Sequence, residues 1–153
     1  MDMMTFRRAE LSDLEAILRL LAEDDLGSQR ELVTPGKILS TYLEAFADIS
    51  SDPSQALMVV EQAGKIIGTC HLTFMPSLTF QGSKRMNIGA VRIDPSFQGQ
   101  GLGAWMIQQA LKLAQQKLCK IVQLMTNKKR GTTKQFYEKL GFQASHEGLM
   151  LYL

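Results

Sequence analysis

The segment QGQGLGA, Gln98–Ala104, carries three alternating glycines, Gly99 and Gly101 directly ahead of the apolar-periodic run LGAWMIQQALKLAQQKL and Gly103 at its start. Glycine lets a backbone curl tightly and leaves no Cβ in the way of a ligand. The first amides of the following helix have no acceptor within it, and the positive end of the helix dipole lies behind them. Together these form a cradle for phosphate. The letters fit two such loops. From Gly99 they read G-x-G-x-x-A, a dinucleotide fingerprint. From Gln98 they read Q-x-x-G-x-G, a different pyrophosphate loop.

The dinucleotide loop makes a further demand, an Asp or Glu about 20 residues on to hold the ribose. From Ala104 through Tyr137 the chain has no acid, and the first is Glu138, inside a later helical segment. Too little chain follows the loop for a full doubly wound sheet. The ATP-type pattern G-x-x-x-x-G-K-[ST] is absent as well. Other reactive types are sparse. Cys70 and Cys119 form no C-x-x-C and have no nearby histidine pair, so they read as small buried hydrophobes, with no metal site expected.

The elements around the loop follow from periodicity. MTFRRA (4–9) reads as a strand. LSDLEAILRLLAEDD reads as a helix, with Ser12 and Glu15 spaced as a capping box and Leu14, Ile17, Leu18 and Leu21 on one face. GSQRELVTPG breaks the pattern, and KILSTYLEAFADI (37–49) is a second, weaker amphipathic helix. ALMVVEQ (56–62) and KIIGTCHLTFMPS (65–77) flank Ala63-Gly64 as a β-hairpin. In its second strand Ile66, Cys70, Leu72 and Phe74 alternate with Thr69, His71 and Thr73, an apolar and a more polar face. MNIGAVRI (86–93) is a further strand, stopped by Pro95. KIVQLMT (120–126) is a strand, TTKQFYEKLGF a helix capped by Gly141, and LMLYL (149–153) a closing strand. The order is β-α-α-β-β-β-α-β-α-β, an α/β fold on a mixed sheet. The 153 residues read as one domain, 1–153.

VRIDPSFQGQGLGAWMI resembles the acyl-CoA motif of the GNAT superfamily of N-acetyltransferases, V-x-[VI]-x-P-x-x-[RQ]-G-x-G-x-[GA]. FYEKLGF (136–142) is similar to the family's second motif, and the spacing and element order match as well. The resemblance implies a GNAT-like, mostly antiparallel sheet flanked by helices. It implies an acyltransferase moving acetyl from acetyl-CoA to a primary amine, by direct transfer in a ternary complex without an acyl-enzyme. The pyrophosphate is then expected on the amides of Gln98, Gly99, Gln100, Gly101, Leu102, Gly103 and Ala104. Pantetheine is expected along the backbone of Val91, Arg92 and Ile93, with Asn127 bonding the same arm. Tyr137 is the expected general acid on the departing sulfur. The lysines and arginine of NKKRGTTK either meet the cofactor's phosphates or form a solvated face.

One position departs from the family. Many relatives have a glutamate base two residues before the valine corresponding to Val91, and here that residue is Gly89. A water chain, another residue such as His71, or an amine arriving neutral could replace it. The departure also keeps open an alternative class, an acyl-CoA-binding or sensing module without catalysis. The acceptor amine is unidentified, although the acids Glu23, Asp24, Asp25 and Glu31, in the region that builds the acceptor site in such folds, suit a cationic one. The net charge of +2 gives no footing for nucleic acid. No apolar run approaches the ~18 residues of a membrane span, and no signal peptide is evident, so a cytoplasmic location is expected. The apolar LMLYL suggests a homodimer contact.

Overall fold

The computed structural model describes residues 3–153. Five strands lie in chain order across one sheet: β1 Met4–Arg8, β2 Gln55–Gln62, β3 Lys65–Met75, β4 Arg85–Ile93 and β5 Ile121–Leu124. The first three pairings are antiparallel. Between β1 and β2 come α1 Leu14–Ala22, α2 Asp25–Arg30 and α3 Ser40–Ser51, and α5 Leu102–Gln116 connects β4 to β5. A single turn, α4 (Thr79–Gly82), precedes β4, and α6 Thr133–Lys139 follows β5. The expected mixed α/β fold is present. Among the described residues no helix is long and apolar enough to cross a membrane.

The β2–β3 hairpin shows how local chemistry fixes register. Ala63 and Gly64 both take positive φ, 50° and 76°, as a two-residue turn matched to the strand twist requires. Pairing then brings Met58 opposite Cys70 and Ala56 opposite Leu72. Successive strand residues point to opposite faces. A Cβ built on Gly68 would meet Met106 of α5, so α5 covers that face. Thr69 and His71 point the other way, toward α1 and α3. The α5 face buries Cys70, Leu72, Met86 and Ile88 against Met106 and its neighbours. Each such side chain contributes about 1.5–3 kcal/mol.

Three local expectations are corrected. The start of the first helix is organised one turn early. Asp13, not Glu15, closes it, accepting from the Glu10 amide at 2.8 Å and from Arg7 Nη1 and Nη2 at 2.7 and 3.1 Å. The pattern-breaking stretch contains a helix after all, α2, which Asp24 caps by accepting from Gly27 N. Gly27 is buried, and a Cβ there would collide with the Leu21 carbonyl. Glycine, a poor helix former, is required at that helix contact, and this hides the helix from periodicity. Finally, LMLYL forms no strand. Residues 143–153 carry no regular structure, and Leu149, Leu151 and Tyr152 are 90%, 85% and 85% exposed. Alternating apolar residues favour extension, but a strand also needs a neighbouring edge to bond.

The chain forms two compact units, one running to Gln123 and the other Leu124–Leu153. In the second, α6 ends in a paired cap. Phe142 N donates to Tyr137 O at 3.2 Å and Gly141 N to Glu138 O at 3.0 Å, with Gly141 at φ 100°. This is the Schellman geometry, completed by contact of the Tyr137 and Phe142 rings.

Candidate active site

β4 ends in the expected loop. Asp94 caps the turn Pro95–Phe97 by accepting from Ser96 N at 2.8 Å, and Lys65 Nζ lies 3.3 Å from its other oxygen. The Ser96 amide and Lys65 both hold the Asp94 carboxyl below its usual range. Gly99 and Gly101 follow at φ 78° and 81°, a conformation that disfavours any side chain. Around each of them a built Cβ would meet no atom within 4 Å. The loop is therefore open on its outer side, where a pyrophosphate needs room. Gly101 caps α5 without a side-chain bond, so the amides of the first turn are not spent on a capping side chain. Leu102 anchors this end, 4% exposed. The Gln98 and Gln100 amides fold back onto the Ile93 and Ser96 carbonyls, clear of the glycines.

The adjoining edge of β4 also fits an amide-rich arm. Lys120 N bonds Lys84 O, so β5 starts beside the start of β4. With four residues against nine, β5 flanks only the first part of β4. Val91, Arg92 and Ile93 lie beyond it. One of these groups is engaged, since Arg92 Nη1 donates to the Val91 carbonyl at 2.8 Å. An incoming amide must displace that contact or use its neighbours.

Between Thr69↔Arg92 and His71↔Gly89, one residue of β3 faces two of β4, Ala90 and Val91. This is a β-bulge, and Ala90 sits in it at φ 49°. Bulges re-aim the strand and free a backbone group from the ladder. The amino-acid sequence carries no signal for it beyond the Gly89-Ala90 pair of small residues.

His71 stands directly across from Gly89, so the two share a face. A Cβ on Gly89 would make only ordinary contacts, at 3.8 and 3.9 Å, and its φ is not positive. Neither space nor backbone demands glycine there. His71 Nε2 lies 2.7 Å from Gln55 Oε1, which also accepts from Thr73 Oγ1 at 2.9 Å. That amide oxygen makes Nε2 the donor and Nδ1 the nitrogen able to take a proton. Burial pushes the His71 pKa below its ordinary value, so the ring is neutral at pH 7.

Ala90, His71 and Thr69 floor a cavity of about 160 Å³ under α1 and α3. Tyr42 stands on its wall, donating to Glu31 Oε1 at 2.9 Å and accepting from Leu32 N at 3.1 Å. Of the acids expected to draw a cation, Asp24 is committed to its cap and Glu31 to Tyr42 and Arg30. A wider, open groove of about 480 Å³, between Phe80–Lys84 and Lys117–Lys120, borders the start of β4 instead, remote from the glycines.

The other expected residues lie in the second unit. Tyr137 is buried, with Phe136 and Phe142 edge-on at 5.0 and 5.7 Å. Asn127 caps the turn Lys128–Arg130, accepting from Lys129 N at 2.9 Å. Its carbonyl shapes that turn, and Lys128 and Lys129 are exposed. The cysteines are unsuited to attack. Burial pushes the Cys70 thiol up to about 12 and raises Cys119 as well.

The profile of the acetyltransferase (GNAT) family matches residues 15–142. A glucosamine 6-phosphate N-acetyltransferase from Trypanosoma brucei brucei is 35% identical over 147 residues, covering 92% of this chain and 96% of that protein. A crystal structure from Bacillus halodurans C-125, described as a transcriptional regulator, superposes with a TM-score of 0.95. It is 38% identical and covers 99% of this chain and 100% of that one. A predicted acetyltransferase from Clostridium acetobutylicum, solved with acetyl-CoA, shares the fold at a TM-score of 0.73 and 19% identity. It covers 98% of this chain and 96% of that one.

Proposed function

The chain belongs to the acetyltransferase (GNAT) family and is an N-acetyltransferase, and on that premise we propose how its own residues carry the reaction. Acetyl-CoA is the donor, and its thioester supplies the activated acetyl group. The observation that carries this reading is the loop. Two positive-φ glycines open onto free space before an uncapped 15-residue helix, at the end of a strand whose last residues lack a β5 neighbour. The amides of Gln98–Ala104 hold the pyrophosphate, and the backbone of Val91–Ile93 holds the pantetheine arm. Asn127 bonds the same arm through its side-chain NH₂. As the family model covers both compact units, we read 1–153 as one functional domain.

Transfer is direct. The amine nitrogen bonds to the acetyl carbon as the carbon–sulfur bond breaks, the amine loses one proton and the sulfur gains one. His71 Nδ1 accepts the first proton, with Gln55 and Thr73 fixing its tautomer. Tyr137 donates the second. The high thiol pKa of Cys70 supports a route without an acyl-enzyme. The test follows free thiol from acetyl-CoA across an amine panel, with mass spectrometry of the product. Amine-dependent thiol release with an N-acetyl product is expected. Coenzyme binding without amine-dependent release would instead assign a sensing module.

A further inference from the structure

The cavity beneath α1 and α3 bears on what the acceptor is, and the inference rests on the acetyltransferase reading above. Its walls are Leu14, Ile17, Leu18, Leu21, Phe46 and Ile49. Its lining contains no lysine, arginine, aspartate or glutamate. Apart from His71 Nδ1, the few polar atoms are engaged: the Thr69 hydroxyl donates to Met58 O at 2.8 Å, Tyr42 bonds Glu31 and Leu32, and His71 Nε2 meets Gln55. A phosphate needs cationic or amide donors, and sugar hydroxyls need partners of their own. Burying either against these walls would leave polar groups unsatisfied. An apolar group faces no such cost. A cavity of about 150 Å³ lined by Leu, Ile and Phe accommodates benzene, and this one is about 160 Å³.

The cavity also lies in the right place. Its floor holds the bulge residue Ala90, adjacent to Val91 at the head of the expected pantetheine track, and His71 across from Gly89. A group seated against Leu14, Leu18 and Phe46 would direct a short amine arm toward that floor. We propose that this cavity is the acceptor pocket and that it takes a primary amine bearing one benzene-sized apolar group, not a sugar phosphate. The glucosamine 6-phosphate relative thus shares this chain's reaction but not its acceptor. Apolar walls also favour the neutral form of an amine that enters, so a neutral imidazole suffices where relatives use a carboxylate.

The test titrates 2-phenylethylamine, ethylamine and glucosamine 6-phosphate into the 153-residue chain by calorimetry, with and without coenzyme A. Ala45→Trp narrows the cavity from an exposed position on α3, and Ile49→Ala widens it. In the wild type, 2-phenylethylamine should bind at least tenfold more tightly than ethylamine. Ala45→Trp should remove that preference while holding coenzyme A affinity within twofold, and Ile49→Ala should shift preference toward 2-(1-naphthyl)ethylamine. Equal binding of the two simple amines, tighter binding of glucosamine 6-phosphate, or a preference untouched by Ala45→Trp would each overturn the assignment. Because the amines are also titrated without coenzyme A, failure of the pocket is distinguishable from failure of the donor reading. The latter shows as absent coenzyme A binding or absent amine-dependent thiol release.

Discussion

In the proposed mechanism His71 and Tyr137 divide the proton work, and each makes a separate prediction. In that mechanism the neutral form of His71 is the active one, so kcat at saturating amine should be flat above pH 6.5. It should fall about tenfold per unit once the pH passes below the lowered imidazole pKa. The groups around the ring are Gln55 on β2, Gly89 opposite on β4, and Tyr42 with apolar side chains of α1 and α3 lining the same cavity. Burial raises the Tyr42 pKa, so its hydroxyl stays protonated over this range. The limb therefore reports His71 and should vanish, at a lower plateau, in His71→Gln. Stability has the same sign. A histidine with a depressed folded pKa contributes fully above the unfolded value of about 6.5, and that contribution is lost as the pH falls below it. Tyr137→Phe should lower kcat roughly tenfold or more and leave acetyl-CoA affinity nearly unchanged. Equal turnover would reduce Tyr137 to its packing role between Phe136 and Phe142.

At the scale of elements, two joints carry the site. The first is the loop from β4 into α5. Gly101 sits at φ 81° with open space around it, so Gly101→Ala costs about 1–2 kcal/mol of backbone strain without a clash. The fold should survive with a Tm lowered by a few degrees, while the Kd for coenzyme A, by calorimetry, rises at least tenfold. The second joint sets α1 above β3 and β4. Arg7 on β1 grips Asp13 through two nitrogens at 2.7 and 3.1 Å, and Asp13 in turn holds the Glu10 amide. Asp13→Asn should destabilise by about 2 kcal/mol, with a Tm fall of roughly 4–8 °C in thermal unfolding. The Arg7 guanidinium holds the Asp13 carboxyl below its ordinary value near 3.8. Its contribution is therefore present above that value and lost as the pH falls through the folded pKa. Asp13→Asn should flatten the acid limb of stability against pH.

For the whole molecule, the exposed tail Leu149–Leu153 makes the expected homodimer measurable. If a second copy covers it, sedimentation should give twice the chain mass and Leu151→Ser should lower it. A monomer in both would discard that contact. The conformation of the glycine loop was legible in the sequence because it is local. Gly99 and Gly101, Pro95 before them and FYEKLGF behind write loop and cap chemistry into consecutive residues, and φ follows from residue type. The same locality made Ala63-Gly64 readable as a turn and Gly141 as a cap. Reading failed where a residue's role depends on a distant neighbour. Gly27 looks like a helix breaker until the Leu21 carbonyl lies against it, and LMLYL looks like a strand although nothing flanks it. The bulge at Ala90, the His71–Gly89 pairing and the Gln55 clamp join β2, β3 and β4 across sixteen or more residues of chain. The sequence by itself determined the family, the conformation of the glycine loop and the missing glutamate, because motifs and backbone conformation are short-range properties. Only the tertiary structure decided what stands across from Gly89 and how apolar the adjoining cavity is, because burial and pairing are set by residues far apart in the chain.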